Sequence, residues 1–205
     1  MNVPTTGQAD RDNYKLLIGS VVPRPIAWVS TLSPEGHLNL APFSYFQAVC
    51  SDPPTVIVSV SRRADGERKD TARNALALGE FVVNITNLEL AEAMNVTSGD
   101  YPYGMSEFDV AGLETAPSAT VRPPRVATAP IALECRLVHT VTVGREPNDN
   151  LVLFGEVQSF YIRDDLYANG RIDQTRLQPL GRLAGNQYLK PGGIFEMIRP
   201  KYQPD

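Results

Sequence analysis

From Ile131 to Val143 the chain alternates with a period of two. Positions 131, 133, 135, 137, 139, 141 and 143 read Ile, Leu, Cys, Leu, His, Val and Val, with Ala, Glu, Arg, Val, Thr and Thr between them. Successive side chains of a strand point to opposite faces, so this pattern predicts a long strand with one apolar and one mostly polar face. It places Cys135 and His139 on the apolar side, and Glu134 outward. A second strand, Leu151 to Ile162, is predicted between the loop Pro147-Asn148-Asp149-Asn150 and the polar Arg163-Asp164-Asp165. Four shorter ones precede them: Ile26 to Thr31, Leu38 to Ala41 after the turn Ser33-Pro34-Glu35-Gly36, Thr55 to Val60, and Glu80 to Ile85. Helices are short and few. Thr71 to Leu78 ends at Gly79, and Leu88 to Val96 has Asn87 as its N-cap. Many strands without regular βαβ alternation predict a mainly β barrel or sandwich with short peripheral helices.

A chain of 205 residues buries roughly 70% of the surface its unfolded form exposes, enough for a single domain held by its own core. The formal net charge of −4 offers no electrostatic footprint for nucleic acid. No apolar run approaches the roughly 20 residues that span a bilayer, and the start lacks an export signal, so a cytoplasmic protein is expected. Cys50 and Cys135, the only two cysteines, form no CxxC and are expected to be reduced, buried apolar residues rather than metal ligands. No GxGxxG, Walker-type run or nucleophile elbow appears.

Two stretches carry chemistry. Ser61-Arg62-Arg63-Ala64-Asp65-Gly66-Glu67-Arg68-Lys69-Asp70-Thr71 leaves a strand, crosses a charged loop and enters a helix. Unpaired N–H groups and the positive end of the dipole favour an anion there. Lys69 adds a point charge, Arg62 or Arg63 a bidentate fork, and Ser61 and Thr71 neutral donors, which together suit a phosphate monoester. Asp70 is the expected N-cap. The same residues also read as a solvated loop before an ordinarily capped helix. Asn39-Leu40-Ala41-Pro42-Phe43-Ser44-Tyr45-Phe46 sets small residues beside aromatics, as a flat ring would require, and reads equally as a strand broken by Pro42 with core aromatics. His37 is expected as a solvated turn residue, and His139 as a core histidine with a satisfied hydrogen bond.

Taken in order, Arg24-Pro25-Ile26-Ala27-Trp28-Val29-Ser30-Thr31, the 39–46 stretch, Pro53-Pro54, Lys69-Asp70-Thr71, Glu80-Phe81-Val82-Val83-Asn84 and the closing Pro179-Leu180-Gly181-Arg182-Leu183-Ala184-Gly185-Asn186-Gln187-Tyr188 resemble the flavin reductase-like proteins with an FMN-binding split barrel, especially the flavoredoxin-like branch. The likeness runs from about residue 14 to 188, leaving 189–205 as a C-terminal tail of one domain covering 1–205. It implies a Greek-key split β-barrel and a homodimer with FMN near the subunit interface. By matching motif, Ser30, Thr31 and Leu32 would touch the flavin. Asn39, Ala41, Ser44 and Phe46 would border its ring and ribityl chain, and Ser61, Arg63, Lys69 and Thr71 would take its phosphate.

The resemblance further implies an oxidoreductase in which NADH or NADPH passes a hydride to FMN, without a protein acid or base, for delivery to an oxygenase or another acceptor. One departure stands out. Related reductases carry Gly-Asp-His, associated with nicotinamide use, where this chain has Asn148-Asp149-Asn150. The alternatives are an electron-transfer flavoprotein that keeps FMN and is reduced by a protein partner, and a flavin-binding relative without turnover.

Overall fold

The computed structural model describes residues 1–197; the tail expected over 189–205 lies outside the described residues from 198 onward. Seven strands form one antiparallel sheet: β1 (Ala27–Leu32), β2 (Leu38–Phe43), β3 (Phe46–Ser51), β4 (Pro54–Ser61), β5 (Glu80–Ile85), β6 (Ile131–Val143) and β7 (Asn150–Ile162). Their order across the sheet is β2-β1-β5-β6-β7-β4-β3. The edge strands β2 and β3 are separated in sequence only by Ser44 and Tyr45. Three peptide links reach about 11 Å, so the sheet has to curl until its two edges meet. The result is a split barrel in which β5 enters between the β1–β2 and β6–β7 hairpins.

The barrel interior is apolar. Ala27, Val29, Val58, Phe81, Val83, Cys135 and Leu153 are all buried in one cluster. A second cluster covers the outer face of β1 and β2, where Trp28 and Leu40 pack with Met94 and Phe108. β1 is therefore covered on both faces, which explains its near-continuous run of buried residues. The Trp28 indole N–H donates to the Thr97 hydroxyl at 2.8 Å, and Thr97 donates in turn to the Met94 carbonyl.

Among the helices outside the barrel, the three longest are α1 (Asp10–Ser20), α2 (Asp70–Leu78) and α3 (Ala91–Val96), and two four-residue helices cover Glu107–Val110 and Gln174–Leu177. α2 packs Thr71, Ala72, Asn74 and Ala75 inward and stops at Gly79, whose φ of 70° is the left-handed conformation that glycine adopts without strain. α3 follows a 3-10 turn over Leu88–Leu90, and the Asn87 side chain accepts from the Leu90 N–H as a cap. α1 and β3 were not apparent in the sequence pattern, because most of their side chains face solvent.

Three expectations are corrected and a fourth, Glu134, is refined. His139 is exposed rather than in the core, because Val138 is an extra residue between the pairs Leu137–Gly155 and His139–Phe154. A one-residue bulge reverses the side-chain faces beyond it, so the odd positions that point inward at 131, 133 and 135 point outward from His139 on. Cys50 lies on the exposed strand β3, while Cys135 is buried as expected; both are free. Glu134 points to the outer face, opposite Leu133 and Cys135, but is covered there rather than open to solvent: only 3% exposed, it accepts from the Ala119 and Thr120 N–H groups and the Thr120 hydroxyl. Asp70 is the first residue of α2 rather than its cap; Lys69 holds the cap position, without a side-chain capping bond.

Candidate functional site

The loop between β4 and α2 is a small hairpin. Arg62 and Arg68 sit opposite each other as an antiparallel bridge, and the Arg63 N–H donates to the Glu67 carbonyl at 2.8 Å. Gly66, at φ 87°, makes the turn. The hairpin delivers Arg63 and Lys69 to a polar recess at the first turn of α2, whose lining also includes Asn39, Ala41, Asp70, Thr71, Tyr101 and Glu107. Among the described residues Lys69 has no ion-pair partner. The Arg63 guanidinium donates to the Tyr101 carbonyl at 3.3 Å from two nitrogens and stays 3.8 Å from Asp70 and 3.9 Å from Asp65. Those separations are loose for ion pairs, which leaves both cations available to an anion.

Asn39 organises the recess floor. Its amide donates to Thr31 Oγ1 and to Thr71 Oγ1, each at 3.0 Å, while Asn74 also donates to Thr31 at 3.2 Å. One buried amide thus joins β1, β2 and the first turn of α2. The Thr71 hydroxyl accepts from Asn39 and keeps its own proton to donate. Two acids share the recess. Asp70 lies between Arg63 and Arg73, the latter at 3.6 Å. Burial pushes the Glu107 carboxyl above the usual range; the Leu40 N–H, donating to it at 2.9 Å, opposes that shift.

Pro42, Phe43 and Ser98 line both this recess and a broad cleft of about 810 Å³ beside it. The cleft is walled by Tyr14 and Ile18 of α1, by Met94 and Asn95 of α3, and by the 182–188 segment. Arg24 is buried and ties these walls together. Its guanidinium donates to the Ile18, Val21 and Leu183 carbonyls at 2.7–3.0 Å and to Ser44 Oγ at 3.3 Å. Gly181–Arg182 pairs with Arg24–Pro25 on one side and Tyr188–Leu189 on the other, and the Arg182 guanidinium sits 4.4 Å over the Tyr188 ring.

The structure thus gathers Asn39, Ala41, Arg63, Lys69 and Thr71 into the recess and puts Ser44 in the adjoining cleft. Thr31 stands directly behind Asn39. Ser30 is buried further along β1, between the Asn84 amide and the Pro124 carbonyl. Leu32, Phe46 and Ser61 line neither cavity; Phe46 packs against the barrel core, and Ser61 is exposed at the end of β4. Sequence reasoning missed Tyr14, Tyr101 and Glu107 as lining residues. Nothing local marks them, since each reaches the site from a segment remote in sequence.

A split barrel with a cationic recess opening beside a cleft broad enough for a fused ring system defines a class of cofactor-binding protein. A family model for the flavin reductase like domain matches residues 18–176, and the chain belongs to that family. An uncharacterized protein of Halalkalibacterium halodurans is 43% identical over 192 residues, covering 93% of this chain and 92% of its own. Among solved structures, nitrilotriacetate monooxygenase component B from Bacillus cereus is 42% identical, with a TM-score of 0.93 over 96% of this chain and 98% of that one. The 2-nitrobenzoate 2-nitroreductase of Pseudomonas fluorescens is 32% identical, with a TM-score of 0.90 over 100% and 99% of the two chains.

Proposed function

We propose that the protein is an FMN-binding oxidoreductase that accepts a hydride from NADH or NADPH and supplies reducing equivalents to an acceptor, an oxygenase among the candidates. The observation that carries this reading is the pairing of recess and cleft: two loosely held cations at an uncapped helix start, opening beside a large cleft through Pro42 and Phe43. The donor set fits a phosphate monoester, and the cleft fits a flat ring attached to it. Membership of the flavin reductase-like family and similarity to a monooxygenase component support the same assignment.

Bound there, FMN would supply the hydride-accepting chemistry, which no side chain of this protein offers. The protein's part is grip and orientation. Lys69 and Arg63 neutralise the phosphate, the first N–H groups of α2 and the Thr71 hydroxyl donate to it, and Asn39 holds Thr71 in place. Ser44, its oxygen engaged by Arg24, keeps a proton to donate at the ring edge. The walls from α1, α3 and the 182–188 segment limit water around the reacting face.

One feature favours a second reading, in which FMN is retained and reduced by a protein partner. Asn150 stands where related reductases carry histidine, and its amide is turned back to the Ser59 hydroxyl at 3.0 Å instead of toward the cleft. Anaerobic stopped-flow mixing of the FMN-loaded protein with NADH or NADPH separates the two. Bleaching of the oxidised flavin band at a saturable rate is the expected result; a flavin that stays oxidised with both nucleotides contradicts direct reduction.

A further inference from the structure

We propose that Asp149, remote from the cleft, is a positioning residue for phosphate binding: it clamps Arg62 and Arg68 and so holds Arg63 and Lys69 at the recess. The inference rests on the assignment of that recess to the FMN phosphate. Asp149 lines neither cavity, and its carboxylate is 1% exposed at the end of the β6–β7 turn. Oδ1 accepts from Arg62 Nε and Oδ2 from Arg68 Nη2 at 3.3 Å, so each oxygen holds one end of the hairpin. Arg62 also reaches across the loop to the Gly66 carbonyl at 2.9 Å, and to Glu146 at 3.0 Å. The fixed unit is therefore the whole 62–68 hairpin, and the two groups at its margins, Arg63 and Lys69, are those that enter the recess.

Charge makes this clamp necessary. Arg62 and Arg68 face each other directly, and like charges in opposed positions repel. The Asp149 carboxylate between them turns repulsion into a shared bond, and the hydrogen bond from Arg62 holds that carboxyl well below the usual range, so it stays ionised wherever the protein is folded near neutrality. The turn that carries Asp149 is itself constrained. A Cβ on Gly144, already at φ 106°, would come within 3.2 Å of the Asp149 Cα. The next residue, Asn150, is paired with Ser61, immediately before the hairpin. Strand register and ion pair thus act on the same few residues. In this chain the aspartate of Asn148-Asp149-Asn150 serves the phosphate end of the site.

The test compares FMN and riboflavin, identical except for the phosphate, by fluorescence titration of wild type, Asp149→Asn and Arg68→Gln. Asp149→Asn keeps the size and one acceptor oxygen but removes the charge. The expected result is FMN affinity weakened about tenfold or more with riboflavin affinity nearly unchanged, because only one ligand uses the displaced cations. Arg68→Gln breaks half the clamp and is expected to shift the same ratio less; it serves if Asp149→Asn does not fold. Lys69→Ala, which removes a proposed phosphate contact directly, marks the full extent of the loss. Equal weakening of both ligands, or no change in either, overturns the positioning role. A wild type that binds FMN no better than riboflavin refutes the phosphate assignment itself, and the inference with it.

Discussion

Glu107 is a buried acid whose charge state bears on the recess. Its carboxyl is 6% exposed and faces Asp70 and Arg63 across the cavity proposed to bind an anion. Burial raises its proton affinity in the folded state above that of the unfolded chain. The folded state therefore holds a proton that the unfolded state gives up first, and the protein loses stability as pH rises from the ordinary carboxylate range through the raised value. Glu107→Gln cannot ionise and keeps an oxygen for the Leu40 N–H. Its melting temperature is expected to gain on the wild type as pH rises from about 4 to about 7. Thermal melts at a series of pH values check this, and a variant-minus-wild-type difference that stays constant or falls as pH rises contradicts it. Above the raised value, where the Glu107 carboxyl is ionised, the same variant removes a negative charge from the recess, and tighter FMN binding there is consistent with the assignment.

At the scale of elements, the close approach of β5 to the β6–β7 ribbon sets how much the barrel tolerates. A Cβ on Gly155 would lie 2.4 Å from Cζ of Phe81 and 3.0 Å from the Cys135 Cβ. Phe81 is fully buried, so its ring has nowhere to retreat. Gly155→Ala is expected to cost roughly 1–3 kcal/mol in urea denaturation, and Phe81→Leu in the same chain to recover part of that cost. Additive losses would contradict a clash between these two groups. This contact also shows where sequence legibility ends. The strands around Ala27, Val58, Val83 and Leu133 were readable because burial writes itself into alternating or continuous apolar runs. The bulge at Val138 is invisible to periodicity, since His139, Val141 and Val143 continue the apolar pattern on what has become the outer face. β3 and α1 bury little and leave no pattern. For the site, the cations Arg63 and Lys69 and the helix start were legible because charge and helix entry are local. The Arg62–Asp149–Arg68 clamp was not, because its partners come together only once β4 and β7 pair.

For the molecule as a whole, one topological fact places the proposed chemistry. β2 and β3 lie on opposite edges of the sheet but are joined by Ser44 and Tyr45, so closure of the barrel brings the end of β2 to the seam. α2 supplies the recess on one side of that seam, while α1, α3 and the 182–188 segment wall the cleft on the other. Pro42 and Phe43, at the end of β2, belong to both. The proposed cofactor therefore runs from cation to ring along a single strand end, held by parts of the chain that only the closed barrel brings together. A crystal structure of the protein soaked with FMN tests this most directly. The account predicts the phosphate within hydrogen-bonding reach of Lys69 and Thr71, with the ring lying along Pro42, Phe43 and Ser44. A phosphate bound elsewhere, or a recess that stays closed by Asp70 and Glu107 with the ring bound without it, would contradict it.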